Sequence, residues 1–161
     1  MNGEYVALMT RIRAALPDLV RVVERTESVL EKAKHTGDDA YLDAVALNLH
    51  GFYSGVEQIF VDIARNMEQA VPAGPDWHRE LLLQMSAEAT PVRPSVITQA
   101  TRHCLDDYRS FRHVVRNVYT FNLRPSRLQE LTAGLRPCFE MVVRDLGDFV
   151  RFLEQIANGN E

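Results

Sequence analysis

Cysteine is scarce in this chain. Cys104 and Cys138 are its two cysteines, too few for a disulfide framework and without the paired spacing of a zinc site. Both lie in apolar helical stretches, where a free cysteine behaves as a small hydrophobe. We therefore expect two free thiols, as in the reducing environment of the cytoplasm.

Long apolar runs are also missing. Charged residues interrupt each run well before the roughly 18 residues that suggest a membrane-spanning helix. The N-terminal residues 1–5 have neither the basic nor the apolar region of a signal peptide. The sequence therefore predicts a cytoplasmic protein with no membrane segment.

An excess of positive charge is missing as well. The 161 residues carry a formal net charge of −4, so the whole molecule has no bulk attraction for nucleic acid. Any contact with nucleic acid must come from a local patch, and the candidate is the region from Arg109 to Arg127. The length suits one domain, so we predict that residues 1–161 form a single domain.

The apolar residues recur with a helical period throughout, and no alternating strand pattern is convincing. We predict an all-α fold, an antiparallel helical bundle of four long helices and one short helix. The long helices are expected at 4–34, 40–71, 95 to 119 or 121, and from 125 onward, and the short helix at 77–88.

Local signals predict where these helices begin, bend and end. Gly37 suits a left-handed helix end, Asp76 and Ser95 suit helix N-caps, and Pro17 and Pro137 suggest a kink or a bend. Gly51 and Gly55 lie four residues apart in the second helix, so we expect another helix to approach closely there.

Several aromatic residues stand at the helical spacing of a buried stripe and are predicted to be core: Phe52, Tyr53, Phe60, Phe139 and Phe149. Trp77 follows a proline-rich loop and is interpreted as a plug over the bundle end. His78 has no second ligand at metal spacing, so we expect it to hydrogen-bond a neighbour, and we predict no metal site.

The richest stretch is 108–119, where charged groups interrupt an apolar helix. Tyr108 and Phe111 fall on one apolar arc with Arg112 at its edge, and an arginine at such a seam needs a partner. Arg109, Arg112 and Arg116 stand three and four residues apart and form a basic ridge. The ridge suits a phosphate-bearing ligand or a carboxylate-rich surface, although spacing alone favours the solvated basic edge of an amphipathic helix.

The same stretch carries a family resemblance. Arg112, four residues, Asn117, one residue and Tyr119 resemble the Arg-x4-His-x-Tyr signature of HepT-like proteins of the HEPN superfamily, with Asn117 in place of the histidine. The segments 53–64, 77–82 and 111–128 are similar to a HepT-like subfamily, so the resemblance extends from about residue 40 to about residue 135.

The resemblance implies a toxin-like partner in a toxin–antitoxin pair, acting as a metal-independent endoribonuclease without a cofactor. Arg112 would hold the scissile phosphate and His113 would orient that arginine. Asn117 stands where a base is needed, and an amide transfers no proton near neutral pH, so catalysis should be weakened or lost there. His113 is one helical turn away and could substitute.

The resemblance also implies partners. The protein would be a homodimer whose motifs meet across a cleft, where Arg109 and Arg116 would bind RNA. Tyr119 matches the tyrosine that a nucleotidyltransferase antitoxin modifies with adenylyl groups. Three hypotheses remain open: a ribonuclease toxin, a non-catalytic module that binds RNA, nucleotide or a nucleotidyltransferase, and a helical adaptor whose ridge meets an acidic protein.

Overall fold

The computed structural model describes residues 3–117 and 123–159, with side chains in α4 described as far as Val115. These residues form five α-helices: α1 Gly3–Thr36, α2 Ala40–Met67, α3 Trp77–Ser86, α4 Gln99–Asn117 and α5 Pro125–Gly159. The predicted all-α bundle of four long helices and one short helix is confirmed. Within the described ranges, no helix is both long enough and apolar enough to cross a membrane.

Pairs of contacting residues show how the long helices run. The pairs are Arg11–Asp62 and Leu19–Gly55 between α1 and α2, Arg13–Glu154 and Glu27–Arg136 between α1 and α5, and Thr98–Asp145 and Tyr108–Leu131 between α4 and α5. In each set, residue numbers rise along one helix while they fall along the other. Helix α1 is therefore antiparallel to α2 and α5, and α4 is antiparallel to α5.

The core lies where the apolar stripes of these helices meet. All the aromatic residues predicted as core are buried, namely Phe52, Tyr53, Phe60, Phe139 and Phe149. Phe52 packs edge-on against the rings of Tyr108 and Phe139, which joins α2 to α4 and α5. Each such burial stabilises the fold by roughly 1.5–3 kcal/mol.

Two glycines of α2 differ in their surroundings. A Cβ on Gly55 would lie 2.8 Å from Leu19 Cδ2 of α1, whereas a Cβ on Gly51 would meet nothing within 4 Å. The expected close approach of a helix is therefore confirmed at Gly55 and is wrong at Gly51.

Helix α1 continues through Pro17, and α5 continues through Pro137, without a break. The chain leaves α1 at Gly37, whose φ of 68° is the left-handed conformation expected there. The predicted side-chain cap at Asp76 is wrong, because its carboxylate makes no capping hydrogen bond to α3.

The predicted cap of α4 at Ser95 is also wrong, since the helix begins at Gln99. Thr98 caps it instead, and its Oγ1 accepts a hydrogen bond of 3.1 Å from the N–H of Thr101. Asp145 of α5 is buried and accepts from the N–H of Thr98 at 3.0 Å and from the hydroxyl of Thr101 at 2.5 Å. A buried carboxylate from another helix thus fixes this end, and local sequence could not reveal it.

The expectation of free cysteines is wrong. Cys104 of α4 and Cys138 of α5 form a disulfide, with their Cα atoms 5.8 Å apart. They are 34 residues apart in sequence, and the antiparallel packing of their helices brings them together. The cysteine argument for a reducing compartment therefore lapses, and the cytoplasmic location remains a prediction.

A buried arginine fixes α3 and the loop that follows it. The guanidinium of Arg93 forms a double hydrogen bond with Glu68 just beyond α2, at 3.0 and 2.6 Å. It also donates to the carbonyls of Gln84, Ala87 and Pro94. One side chain therefore connects the end of α2, the end of α3 and the loop that leads to α4.

Candidate functional site

Arg112 lies where α2, α3 and α4 meet. Its Nε donates to Ser54 Oγ of α2 at 3.2 Å, and its Nη1 lies 3.4 Å from Nε2 of His78 on α3. The side chain is half-buried. The expectation that an arginine at this seam has partners is confirmed, and both partners come from other helices.

His78 is itself held by a buried carboxylate. Its Nδ1 lies 2.7 Å from Oε2 of Glu57, and the Glu57 side chain is 3% exposed while that of His78 is 22% exposed. The ring of Trp77 stacks on the imidazole with centroids 3.7 Å apart. In the tautomer in which Nδ1 donates to this carboxylate, Nε2 presents its lone pair toward Arg112.

Arg112 and His78 line a cavity of about 430 Å³, and the rest of its wall is formed by Pro75, Asp76, Arg79, Arg109 and His113. The wall carries three arginines and two histidines against one aspartate, so an anion is favoured in it. The cavity concentrates positive charge on a protein that is negative overall.

Arg109 is partly committed to a neighbour on its own helix. Its Nε donates to Asp106 Oδ1 at 2.8 Å, and its side chain is 22% exposed. A pair at this spacing on a partly exposed face contributes a few tenths of a kcal/mol, so an incoming phosphate can compete for the guanidinium. Arg109 is therefore available as a second cation at the cavity.

Tyr53 is buried on α2, one turn before Glu57. Burial raises the pKa of its hydroxyl, and the charge of Glu57 raises it further. Tyr53 therefore stays protonated under ordinary conditions and adds no charge beside the carboxylate.

A second groove, of about 460 Å³, lies between α1 and α2. Its charges include Arg11 and Asp62, which already form a double hydrogen bond at 2.7 and 3.0 Å. This groove lacks the excess of one charge seen at Arg112, so it is not the candidate site.

The structure brings together three residues predicted for the site, since Arg109, Arg112 and His113 all line the cavity. The predictions for the side chains of Arg116 and Asn117 and for Tyr119 lie outside the described part of the chain. In the described part, no group of three or more histidine, cysteine, aspartate or glutamate residues is arranged to hold a metal ion.

Sequence reasoning missed the role of Glu57 and the position of His78 in the site. His78 was expected to hydrogen-bond a neighbour, and it does, but its partner is 21 residues earlier on another helix. One signal was present in the sequence. Tyr53 stands four residues before Glu57 and Phe60 stands three residues after it, so Glu57 falls on the same buried face of α2 as these two aromatic residues. A carboxylate there needs a partner.

Comparison with known proteins gives a family match. The family described as HepT-like protein matches residues 44–153, which is more than half of the chain and includes every residue of the cavity wall. No curated protein and no solved structure matches the chain.

Proposed function

Because the chain belongs to the HepT-like family, we propose that it is the HepT-like component of a toxin–antitoxin pair and that its cavity binds the phosphodiester backbone of RNA. The observation that carries the proposal is the convergence of Arg79, Arg109 and Arg112 on one recess. A guanidinium is permanently charged and its planar fork matches two phosphate oxygens.

The orientation of Arg112 supports this role. Ser54 accepts a hydrogen bond from its Nε, and His78 makes a weaker contact with its Nη1, so part of the side-chain entropy is already lost before an anion binds. An exposed basic edge would need no such support, which argues against a purely solvated ridge. In this proposal Arg112 holds the scissile phosphate and His113 orients the Arg112 side chain. Arg109 and Arg116 bind the flanking RNA backbone.

The family motif differs here at Asn117. In the ribonuclease form of the proposal, that position would supply a proton-transferring group, worth typically 10²–10⁴-fold in rate. An asparagine supplies none, so the motif alone supports a weakened endoribonuclease or a binding module. Asn117→His should raise RNA cleavage if the motif position is the catalytic one.

Two further parts of the proposal concern partners. The protein would act as a homodimer in which both arginine ridges face one cleft, and Tyr119 would be adenylylated by a nucleotidyltransferase antitoxin. Light scattering should give a mass near twice the 18.3 kDa of the chain, and a species of the single-chain mass alone would contradict the dimer. Mass spectrometry after incubation with ATP and a nucleotidyltransferase antitoxin of a HepT-like pair tests the modification.

The binding experiment uses fluorescence anisotropy with a labelled single-stranded RNA. Arg112→Ala should weaken binding by about 10- to 100-fold, because a hydrogen bond to a charged group contributes about 1.5–3 kcal/mol. Arg136→Ala is the matched control, since Arg136 pairs with Glu27 on an exposed surface between α5 and α1. Equal affinities for the two variants would refute RNA binding at the cavity, and retained affinity for an acidic protein alone would favour the adaptor function.

A further inference from the structure

The cavity contains an imidazole placed for proton transfer, and it lies outside the family motif. We propose that His78, oriented by Glu57, is the catalytic base of RNA cleavage in this protein and takes the role that Asn117 cannot perform. The proposal rests on the proposed function, since it needs RNA bound with a phosphate at Arg112.

The first argument is the state of the ring. The Glu57 carboxylate lies 2.7 Å from Nδ1, and it favours the tautomer in which Nδ1 donates and Nε2 carries a lone pair. A buried carboxylate in that position also stabilises the positive charge that the ring gains when Nε2 takes up a proton. Stacking on Trp77 restricts rotation of the ring, so Nε2 keeps its direction.

The second argument is the position of Nε2. It lies 3.4 Å from Nη1 of Arg112, so a phosphate on that guanidinium would lie beside the imidazole. A contact of this length is weak, and a phosphate oxygen is the stronger acceptor for the guanidinium. Phosphate binding would therefore release Nε2 to accept another proton at the place where the substrate binds.

The third argument compares the two histidines of the cavity wall. The His113 side chain is exposed on α4, whereas His78 is half-buried. The Glu57 carboxylate beside His78 is 3% exposed. A base needs a fixed position relative to the phosphate, and the side chains of α2 and α3 supply it for His78. His78 and Arg112 thus form a base and a phosphate-binding cation in direct contact.

The chemistry is a transfer within the RNA backbone. The ribose 2′-hydroxyl gives its proton to Nε2 of His78 while its oxygen forms a bond to the adjacent phosphorus held by Arg112. The bond from phosphorus to the 5′-oxygen breaks, and that oxygen leaves with the electron pair and takes a proton from water. The products are a 2′,3′-cyclic phosphate and a 5′-hydroxyl, and the imidazolium returns its proton to the hydroxide.

The first test measures cleavage of a 5′-labelled single-stranded RNA by the full chain. His78→Ala and His78→Gln should both slow cleavage by about 10²–10⁴-fold, and the glutamine variant keeps a donor toward Glu57. His35→Ala is the matched control, because His35 is 79% exposed on α1, and it should leave the rate unchanged. Added imidazole should restore cleavage by the His78→Ala variant and should not restore cleavage by Arg112→Ala.

The second test separates this inference from the proposed function. A 2′-O-methyl RNA of the same sequence has no attacking hydroxyl and reports binding alone, and its affinity should be similar for the unmodified protein and His78→Gln. Binding of this RNA without cleavage of the ordinary RNA by the unmodified protein would overturn the role of His78 and leave the proposed function standing. Absence of binding would overturn both.

The third test addresses Glu57 as a positioning residue. In Glu57→Gln the amide carries no charge, so it no longer stabilises the positive charge that the ring gains when Nε2 takes up a proton. We expect kcat to fall with little change in KM. Unchanged kcat in Glu57→Gln, or cleavage that survives His78→Gln and is abolished by His113→Ala, would refute the proposal.

Discussion

Replacing His78 with alanine should lower the free energy of unfolding by about 2–3 kcal/mol. The reason is the carboxylate that it leaves behind: the Glu57 side chain is 3% exposed and would lose its partner 2.7 Å away. An unsatisfied buried polar group costs about 1–3 kcal/mol, and a charged one costs more. The partial exposure of His78 lets water reach part of the space, which keeps the loss below the 3–5 kcal/mol typical of a broken buried ion pair.

Replacing Glu57, the other partner of the pair, should lower the free energy of unfolding by less. Glu57→Leu removes the buried carboxylate and leaves His78 partly in contact with solvent, so we expect a loss of about 0–1 kcal/mol. The double variant, which combines Glu57→Leu with His78→Ala, no longer has a carboxylate to satisfy. Its loss should be smaller than the sum of the single losses by about 1–2 kcal/mol, which is the coupling energy of the pair.

The assay is urea denaturation monitored by circular dichroism, applied to the unmodified protein, the two single variants and the double variant. Thermal unfolding is the second measurement. For a chain of this size a loss of 2–3 kcal/mol corresponds to a fall of about 4–12 °C in Tm. His35→Ala is the control, and a surface change of this kind stays within about 0.5 kcal/mol. Additive single losses, or a loss for His78→Ala no larger than that of the control, would refute the pairing.

Three other measurements test the fold around the site. Cys138→Ser should lower the free energy of unfolding by about 3–4 kcal/mol, because the disulfide closes a loop of 34 residues; an oxidised protein whose Tm does not change on reduction would contradict this bond. Gly51→Ala should stabilise α2 by up to about 1 kcal/mol, while Gly55→Ala should gain less because its Cβ meets Leu19, and equal melting temperatures for the two variants would show that Leu19 adjusts without cost. The free energy of unfolding should fall as the pH rises above about 10, because burial raises the pKa of both Tyr53 and Tyr108 in the folded protein. The unfolded chain therefore loses these protons first, and the loss of stability is about 1.4 kcal/mol per pH unit for each tyrosine. Tyr53→Phe should reduce this slope in urea denaturation at several pH values, and an unchanged slope would exclude Tyr53 as a source.

The helices were predictable because the apolar residues of each buried face recur at helical spacing along the chain. The need of Arg112 for a partner was predictable for the same reason, since its place at the edge of that face follows from the helical wheel. The partners were not predictable. Ser54 and His78 lie 58 and 34 residues away in sequence, and no local pattern encodes which helices pack together.

The same limit explains the errors at Ser95 and at the cysteines. Ser95 has the right side chain for a cap, but α4 starts where Asp145 of a distant helix can accept hydrogen bonds from its first turn. Cys104 and Cys138 look like isolated small hydrophobes until two antiparallel helices are aligned. Each error concerns a contact between distant segments, whereas the helical periods are local.

The hydrogen bonds of Arg93 to Glu68 and to the carbonyls of Gln84, Ala87 and Pro94 bear on how the site is kept assembled. Helix α3 has 10 residues, too few to be stable as an isolated helix, and the buried guanidinium is one of the features that hold it against α2. A segment of this kind can open as a unit of its own at a lower free energy than the whole bundle. His78 would leave Arg112 in that opening while α1, α2, α4 and α5 stay folded, so the stability of one small segment sets the fraction of molecules with an assembled cavity.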